Sequence, residues 1–227
     1  MPTKTNNMLI LTVGYPASGK SHLARQLAED LNICRVSADR IRYELFENPQ
    51  YSRDEDAIVF SIFDYMLEEL LKAGQSVICD GDFSLRKSRR LKYELARTYN
   101  MKPVAIWVQT DIETARMRSQ TRDGRKTDDK YSPNMDQDIF DRLLQKFKAP
   151  QNEPVIVVSG KHAYKAQRKN IFNKLHKAGY IQLTQAAKPT TTTQATAPAP
   201  KPEQGVIPRK PTNRVIPRNQ QPLRVNQ

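Results

Sequence analysis

The residues best placed to do chemistry are Gly14-Tyr15-Pro16-Ala17-Ser18-Gly19-Lys20-Ser21, which fit the spacing G-x-x-x-x-G-K-[ST]. Two glycines five apart let the backbone turn so that successive N–H groups converge on one phosphate. A helix opening near Lys20, with His22 in its first turn, adds the positive end of its dipole. Lys20 would reach the β- and γ-phosphates of a bound nucleotide, and the Ser21 hydroxyl would face Mg²⁺. A glycine turn that merely ends in Lys-Ser would look the same, so the flanks decide. Met8–Val13 is an apolar run of strand length, and Leu23, Leu27 and Leu31 recur at helical spacing. Strand, loop and helix stand in the order this chemistry needs. The expected ligands are ATP and Mg²⁺, held along residues 14–22.

Phosphoryl transfer also needs a base, a metal-holding carboxylate and positive charge around the moving group. Asp39 follows the second strand-like run, Ile33–Ser37, and is the candidate base; a helix N-cap is its alternative. Arg42 lies one helical turn on and would bind an acceptor phosphate. Val77-Ile78-Cys79 delivers Asp80 and Asp82 at a strand end. Asp80 is expected at the metal with Ser21, and Asp82 is a rival for that place or a substrate-side helper. Arg116, Arg118, Arg122 and Arg125 fall in a stretch without apolar periodicity, read here as a mobile lid over about residues 116–131. Arg118 and Arg122, four apart, would clamp the triphosphate, with Arg122 in a catalytic role.

The elements that must position these groups alternate. Strand-like runs at 8–13, 33–37, 77–79, 103–108 and 155–158 are separated by helical stretches, which implies an α/β fold with a mainly parallel sheet covered on both faces. Ligands of such sheets sit at the carboxyl ends of the strands, where Gly14, Asp39, Asp80 and Asp82 all fall. The long helix from about Asp54 to Ala73 offers Ile58, Phe60, Ile62, Phe63, Met66, Leu67, Leu70 and Leu71 as a wide buried face. Met1–Asn7 reads as a frayed terminus, and Ser132 or Asn134 as the cap of a helix running to about Lys148.

The chain has 227 residues and a formal net charge of +13. From Ala187 onward seven basic residues oppose one acid, a balance of +6 that leaves +7 for the rest. Two domains follow: a folded one over 1–184, and a disordered basic Pro/Thr-rich tail over 185–227, in which Val206-Ile207-Pro208-Arg209 recurs as Val215-Ile216-Pro217-Arg218. That charge admits nucleic acid as a partner. No apolar run has membrane-spanning length and no signal peptide opens the sequence, so no membrane partner and a cytoplasmic location are expected. Cys34 and Cys79 read as reduced thiols, and the three histidines show no zinc spacing with them.

On the P-loop, on Asp39-Arg40-Ile41-Arg42 as a D-x-x-R, and on Arg118 and Arg122 as lid arginines, residues 8 to about 178 resemble the polynucleotide-kinase-like and zeta-toxin-like branch of the P-loop kinases, a branch also classed with AAA-type ATPases. The resemblance implies a P-loop NTPase fold with five strands in the order 2-3-1-4-5. It further implies an Asp that activates a 5′-hydroxyl and an Arg on the acceptor phosphate. After the third strand the family shows Asp followed closely by Thr and Asn, whereas this chain reads Asp80-Gly81-Asp82-Phe83-Ser84. The leading expectation is a kinase of a nucleic-acid 5′-hydroxyl. A small-molecule or nucleotide-sugar kinase is the second, and a nucleotide-regulated nucleic-acid-binding ATPase the third.

Overall fold

The computed structural model describes residues 3–122, 131 and 135–183. The centre of the lid (123–130, with Arg125), Ser132, Asn134 and the tail from 185 lie outside the described residues.

Among the described residues, seven strands and seven helices follow in chain order: β1 (Thr3–Thr5), β2 (Met8–Val13), α1 (Lys20–Leu31), β3 (Cys34–Ser37), α2 (Ala38–Leu45), α3 (Arg53–Lys72), β4 (Val77–Asp80), α4 (Arg86–Thr98), β5 (Lys102–Gln109), α5 (Ile112–Gln120), α6 (Gln137–Lys146), β6 (Val155–Ser159), α7 (Tyr164–Lys177) and β7 (Ile181–Leu183). Five strands form a parallel sheet in the spatial order β3-β4-β2-β5-β6, which is 2-3-1-4-5 among these five. Register places the functional ends together. Ser37 lies opposite Asp80, so the carboxyl end of β3 and the start of α2 sit beside the carboxyl end of β4.

β2 is buried along its whole length because helices cover both faces of the sheet. Met8 and Ile10 point to the side of α1 and α7, where Leu23, Leu27, Ile171 and Leu175 meet them. Leu9, Leu11 and Val13 point to the side of α3 and α4, against Val59, Phe63, Leu67 and Tyr93. Each fully buried Leu or Ile here contributes roughly 1.5–3 kcal/mol over exposure. This two-sided core fixes the strand ends, and hence the loops that follow them. Among the described residues no helix is long and apolar enough to cross a membrane.

Several expectations are corrected. Residues 3–5 are not frayed; they pair antiparallel with Ile181–Leu183. The buried stripe of α3 is Glu55, Val59, Phe63, Leu67 and Leu71, while Ile58, Phe60 and Met66 are 47%, 37% and 41% exposed. The sheet touches only one line of a helix that is apolar around most of its circumference. α6 begins after Asp136, later than a cap at Ser132 or Asn134 would set it.

Candidate active site

The cradle is built by what glycine permits. Gly14 leaves β2 with φ of 155°, and a Cβ there would lie 2.6 Å from both Ser18 Oγ and the Val108 carbonyl. Gly19, with φ of 100°, caps α1, and Ala17 also takes a left-handed φ of 56°. Ser18 N donates to the Tyr15 carbonyl at 3.2 Å, closing the turn that carries Pro16. The loop is pinned from outside as well. Thr110 Oγ1, just past β5, donates to the Ser18 carbonyl at 3.1 Å, and the Tyr15 ring stands edge-on to Phe147 at 4.8 Å. Lys20 Nζ donates to the Gly14 and Tyr15 carbonyls at 3.2 and 2.7 Å, so the ammonium spans the mouth of the loop. Burial lowers its pKa, opposed by Asp80, Asp82 and Asp39. Phosphate oxygens would offer that ammonium charged acceptors in place of neutral carbonyls. His22 lies half-buried in the first turn of α1.

Asp80 is buried at the end of β4. Its Oδ1 accepts from Ser21 Oγ at 3.1 Å and from Thr12 Oγ1 at 3.5 Å. Arg35 holds the other side, with Nη1 3.6 Å from Oδ2 and 3.3 Å from the Ser21 carbonyl it donates to. Burial raises the Asp80 pKa; Arg35, Lys20 and the two hydroxyls pull it back. Asp80 Oδ2 has no hydrogen-bond partner among the described residues. A buried carboxylate oxygen with no hydrogen bond, faced by Arg35 at 3.6 Å and close to a serine hydroxyl, suits a hard, oxygen-seeking cation such as Mg²⁺. Among the described residues no group of three or more His, Cys, Asp and Glu side chains could hold a metal, so nucleotide oxygens and water would complete the shell. Asp82 is exposed and accepts from Ser84 N at 3.0 Å within a turn, and its charge still acts on Lys20.

On the opposite side, Ser37 caps α2 by accepting from Arg40 N at 3.4 Å. Asp39 is therefore released from capping and lies in the first helical turn. Burial, and then the Asp80 charge, push its pKa up to about 6; Lys20, Arg122 and Arg42 act against that rise. Arg42 is 4% exposed, with both Nη atoms paired and its Nε without a hydrogen-bond partner among the described residues. Its Nη1 donates to Glu55 Oε2 at 3.1 Å, its Nη2 to Asp56, and its guanidinium lies 4.5 Å from the centre of the Tyr51 ring.

The described start of the arginine-rich stretch is helical. α5 runs through Gln120, so Arg116 and Arg118 are helical and Arg122 lies beyond the helix end. The helix escapes an apolar-period reading because Ala115 and Ser119, both small, make its buried contacts. Arg116 pairs with Asp141 at 3.0 Å and lies over the Phe140 ring, tying α5 to α6. Arg118 Nη1 donates to the Gly160 carbonyl at 3.0 Å. Arg122 is half-buried and within electrostatic reach of Lys20 and Asp39. The structure thus gathers Lys20, Ser21, Asp39, Asp80 and Arg122 at one end of the sheet, with Arg118 at its flank. Sequence reasoning missed Thr12, Arg35 and Thr110. Arg35 carried a signal, a charge inside an otherwise apolar strand; Thr12 and Thr110 carried none.

A family model described as an AAA domain matches residues 9–150. The chain belongs to this AAA-domain family. Among solved structures, this AAA-domain protein is similar to a putative kinase from Chloroflexus aurantiacus J-10-fl, with a TM-score of 0.60, 18% identity, and coverage of 78% of this chain and 98% of that one. It is similar to Chaetomium thermophilum Kti12 in complex with ADP-AlF3, with a TM-score of 0.59, 20% identity, and coverage of 75% and 98%. A gluconokinase from Sinorhizobium meliloti 1021 aligns with a TM-score of 0.56, 14% identity, and coverage of 77% and 95%. At these identities the likeness shows the fold, that of P-loop kinases. Among curated proteins none matches the chain.

Proposed function

We propose that this protein transfers the γ-phosphoryl group of ATP to a hydroxyl acceptor, and that the preferred acceptor is a nucleic-acid 5′-hydroxyl, as in the polynucleotide-kinase-like branch. The observation that carries the reading is Asp39. Beside a phosphate cradle stands a carboxylate freed from helix capping, with its pKa raised to about 6 and Lys20 and Arg122 in its field. A group poised there is ionised at neutral pH, yet basic enough to take a proton.

In this reading the P-loop amides and Lys20 hold the β- and γ-phosphates. Ser21 Oγ and Asp80 hold Mg²⁺, which when bound neutralises charge on the phosphate oxygens. Asp39 accepts the proton of the acceptor hydroxyl as its oxygen bonds to the γ-phosphorus. The bond from phosphorus to the bridging oxygen breaks, and ADP leaves with that electron pair. Lys20 and Arg122 offset the charge shifted onto ADP, and Arg118 borders the nucleotide through the 160 loop. The basic charge of the chain, +13 overall, supports a polyanionic acceptor. A small-molecule acceptor is the second reading, favoured by the likeness in fold to a gluconokinase.

The test is transfer of label from γ-labelled ATP to 5′-hydroxyl oligonucleotides, nucleosides, nucleotide sugars and gluconate. Label on an oligonucleotide 5′-end supports the first reading, label on gluconate or a nucleotide sugar alone supports the second, and label on none of them contradicts both.

A further inference from the structure

Lys20, Arg122 and Arg42 act on Asp39, but aromatic rings also stand close to it. Tyr43 follows Asp39 by four residues on α2 and so shares its face of the helix. The Tyr51 phenol interacts with the Tyr43 side chain and lies in the field of Asp39. Burial, then the Asp39 charge, push the Tyr51 phenol well above its ordinary pKa, so it remains a protonated hydroxyl. Tyr131, at the far end of the lid, meets Tyr43 edge-to-face with ring centroids 6.0 Å apart and planes at 67°.

Tyr51 is also held in an unusual backbone state. Its φ is 54°, a left-handed conformation that a bulky side chain rarely adopts. Glu55 keeps it there, accepting from Gln50 N at 2.8 Å and Tyr51 N at 2.7 Å. The same carboxylate and Asp56 bind Arg42 beneath the Tyr51 ring. Two carboxylates therefore answer the Arg42 guanidinium, which leaves only its Nε without a hydrogen bond among the described residues. To clamp an acceptor phosphate, Arg42 would have to leave Glu55, stranding a buried carboxylate without its countercharge.

We propose that the acceptor is recognised by ring stacking on Tyr43, Tyr51 and Tyr131, and that it is a neutral nucleoside end: a nucleobase adjoining the hydroxyl that Asp39 deprotonates. This rests on the kinase reading above and names its substrate class. Arg42 acts here as a positioning residue, holding Tyr51 in place rather than binding phosphate. Tyrosine suits the task because every base has a π-face and the ring loses little freedom on binding. A free nucleoside and the 5′-hydroxyl end of a strand share this chemistry.

The experiment is calorimetric binding to the full chain saturated with Mg²⁺ and AMPPNP, which occupies the nucleotide site. The titrants are cytidine, adenosine, a 5′-hydroxyl oligonucleotide, ribose and gluconate. At least one base-bearing titrant should bind at least tenfold more tightly than ribose or gluconate. Binding of the oligonucleotide alone assigns the strand end, and binding of nucleosides as well shows that the ring suffices. Tyr43→Leu and Tyr131→Leu should each weaken base-bearing titrants about tenfold, whereas Tyr43→Phe, which keeps the ring, should restore binding; unchanged AMPPNP affinity confirms that each variant is folded. Ribose or gluconate binding as well as nucleoside, or Leu variants that bind like wild type, would overturn the proposal, and the wild-type comparison decides even if a variant fails to fold. Label transfer to the same titrants is scored separately. Nucleoside binding without transfer would remove the kinase reading and leave the stacking site.

Discussion

The two halves of the site are wired in opposite ways. On the nucleotide side, charge is left available: the Lys20 ammonium rests on two neutral carbonyls, and Asp80 keeps one buried oxygen without a hydrogen bond. Either group can exchange weak partners for phosphate or a cation. On the acceptor side, charge is mostly consumed internally, with Arg42 bound to Glu55 and Asp56 and stacked on Tyr51, and only its Nε left without a hydrogen bond among the described residues. The nucleotide side is built to receive ions, and the acceptor side to hold a shape. Asp39 sits at the seam and feels both.

Perturbations should therefore behave differently on the two sides. The largest effect is expected from Lys20→Ala, which should lower kcat for transfer by roughly a thousandfold while leaving the circular dichroism spectrum unchanged. Activity near wild type would show that the loop does not hold the reacting phosphate. Glu55→Ala attacks the other half. It leaves Arg42 buried with only Asp56, and should cost about 3 kcal/mol of stability, lowering Tm by roughly 6–12 °C. Its ATP affinity should stay within about twofold of wild type, and an ATP-site defect without a fall in Tm would erase the contrast drawn here.

The pH profile probes the seam. Asp39 acts as a base only when ionised, and its pKa is pushed up to about 6. Lowering the pH through that value protonates it, so kcat/KM should fall about tenfold per unit below pH 6 and level off above. A profile flat from pH 5 to 8 would remove Asp39 from the proton path. The smallest effect is expected at Thr110→Val, which deletes the hydrogen bond to the Ser18 carbonyl without changing shape. At about 1 kcal/mol it should raise the Kd for ATP roughly fivefold and leave acceptor affinity untouched; titration calorimetry with AMPPNP measures it.

The nucleotide half was legible in the sequence because its chemistry is local. Gly14, Gly19, Lys20 and Ser21 sit within eight residues, flanked by an apolar run and a helical period, and the five strands announced themselves as apolar segments. The acceptor half is assembled from distant parts. Nothing in the spacing of Arg42 and Glu55 foretells their pairing, because it depends on α2 and α3 packing against the same sheet face. The N-terminal strand was illegible for the same reason, since Thr3–Thr5 finds its partner at Ile181–Leu183. The second half of α5, past a helix start legible at Ile112, hid behind small residues, and the apolar surplus of α3 overstated its buried face. The competing cap at Asp39 could be resolved only by geometry, which gave that role to Ser37.

The measurement that most directly tests the account is a paired assay of Asp39→Asn. The amide keeps the shape of the carboxylate but cannot take the hydroxyl proton. Transfer of labelled γ-phosphate to the best acceptor should fall by about 10²–10⁴, with the Kd for Mg²⁺–AMPPNP unchanged within about threefold. Transfer close to wild type, or loss of nucleotide binding in step with activity, would contradict the assignment of Asp39 as the base between the two halves.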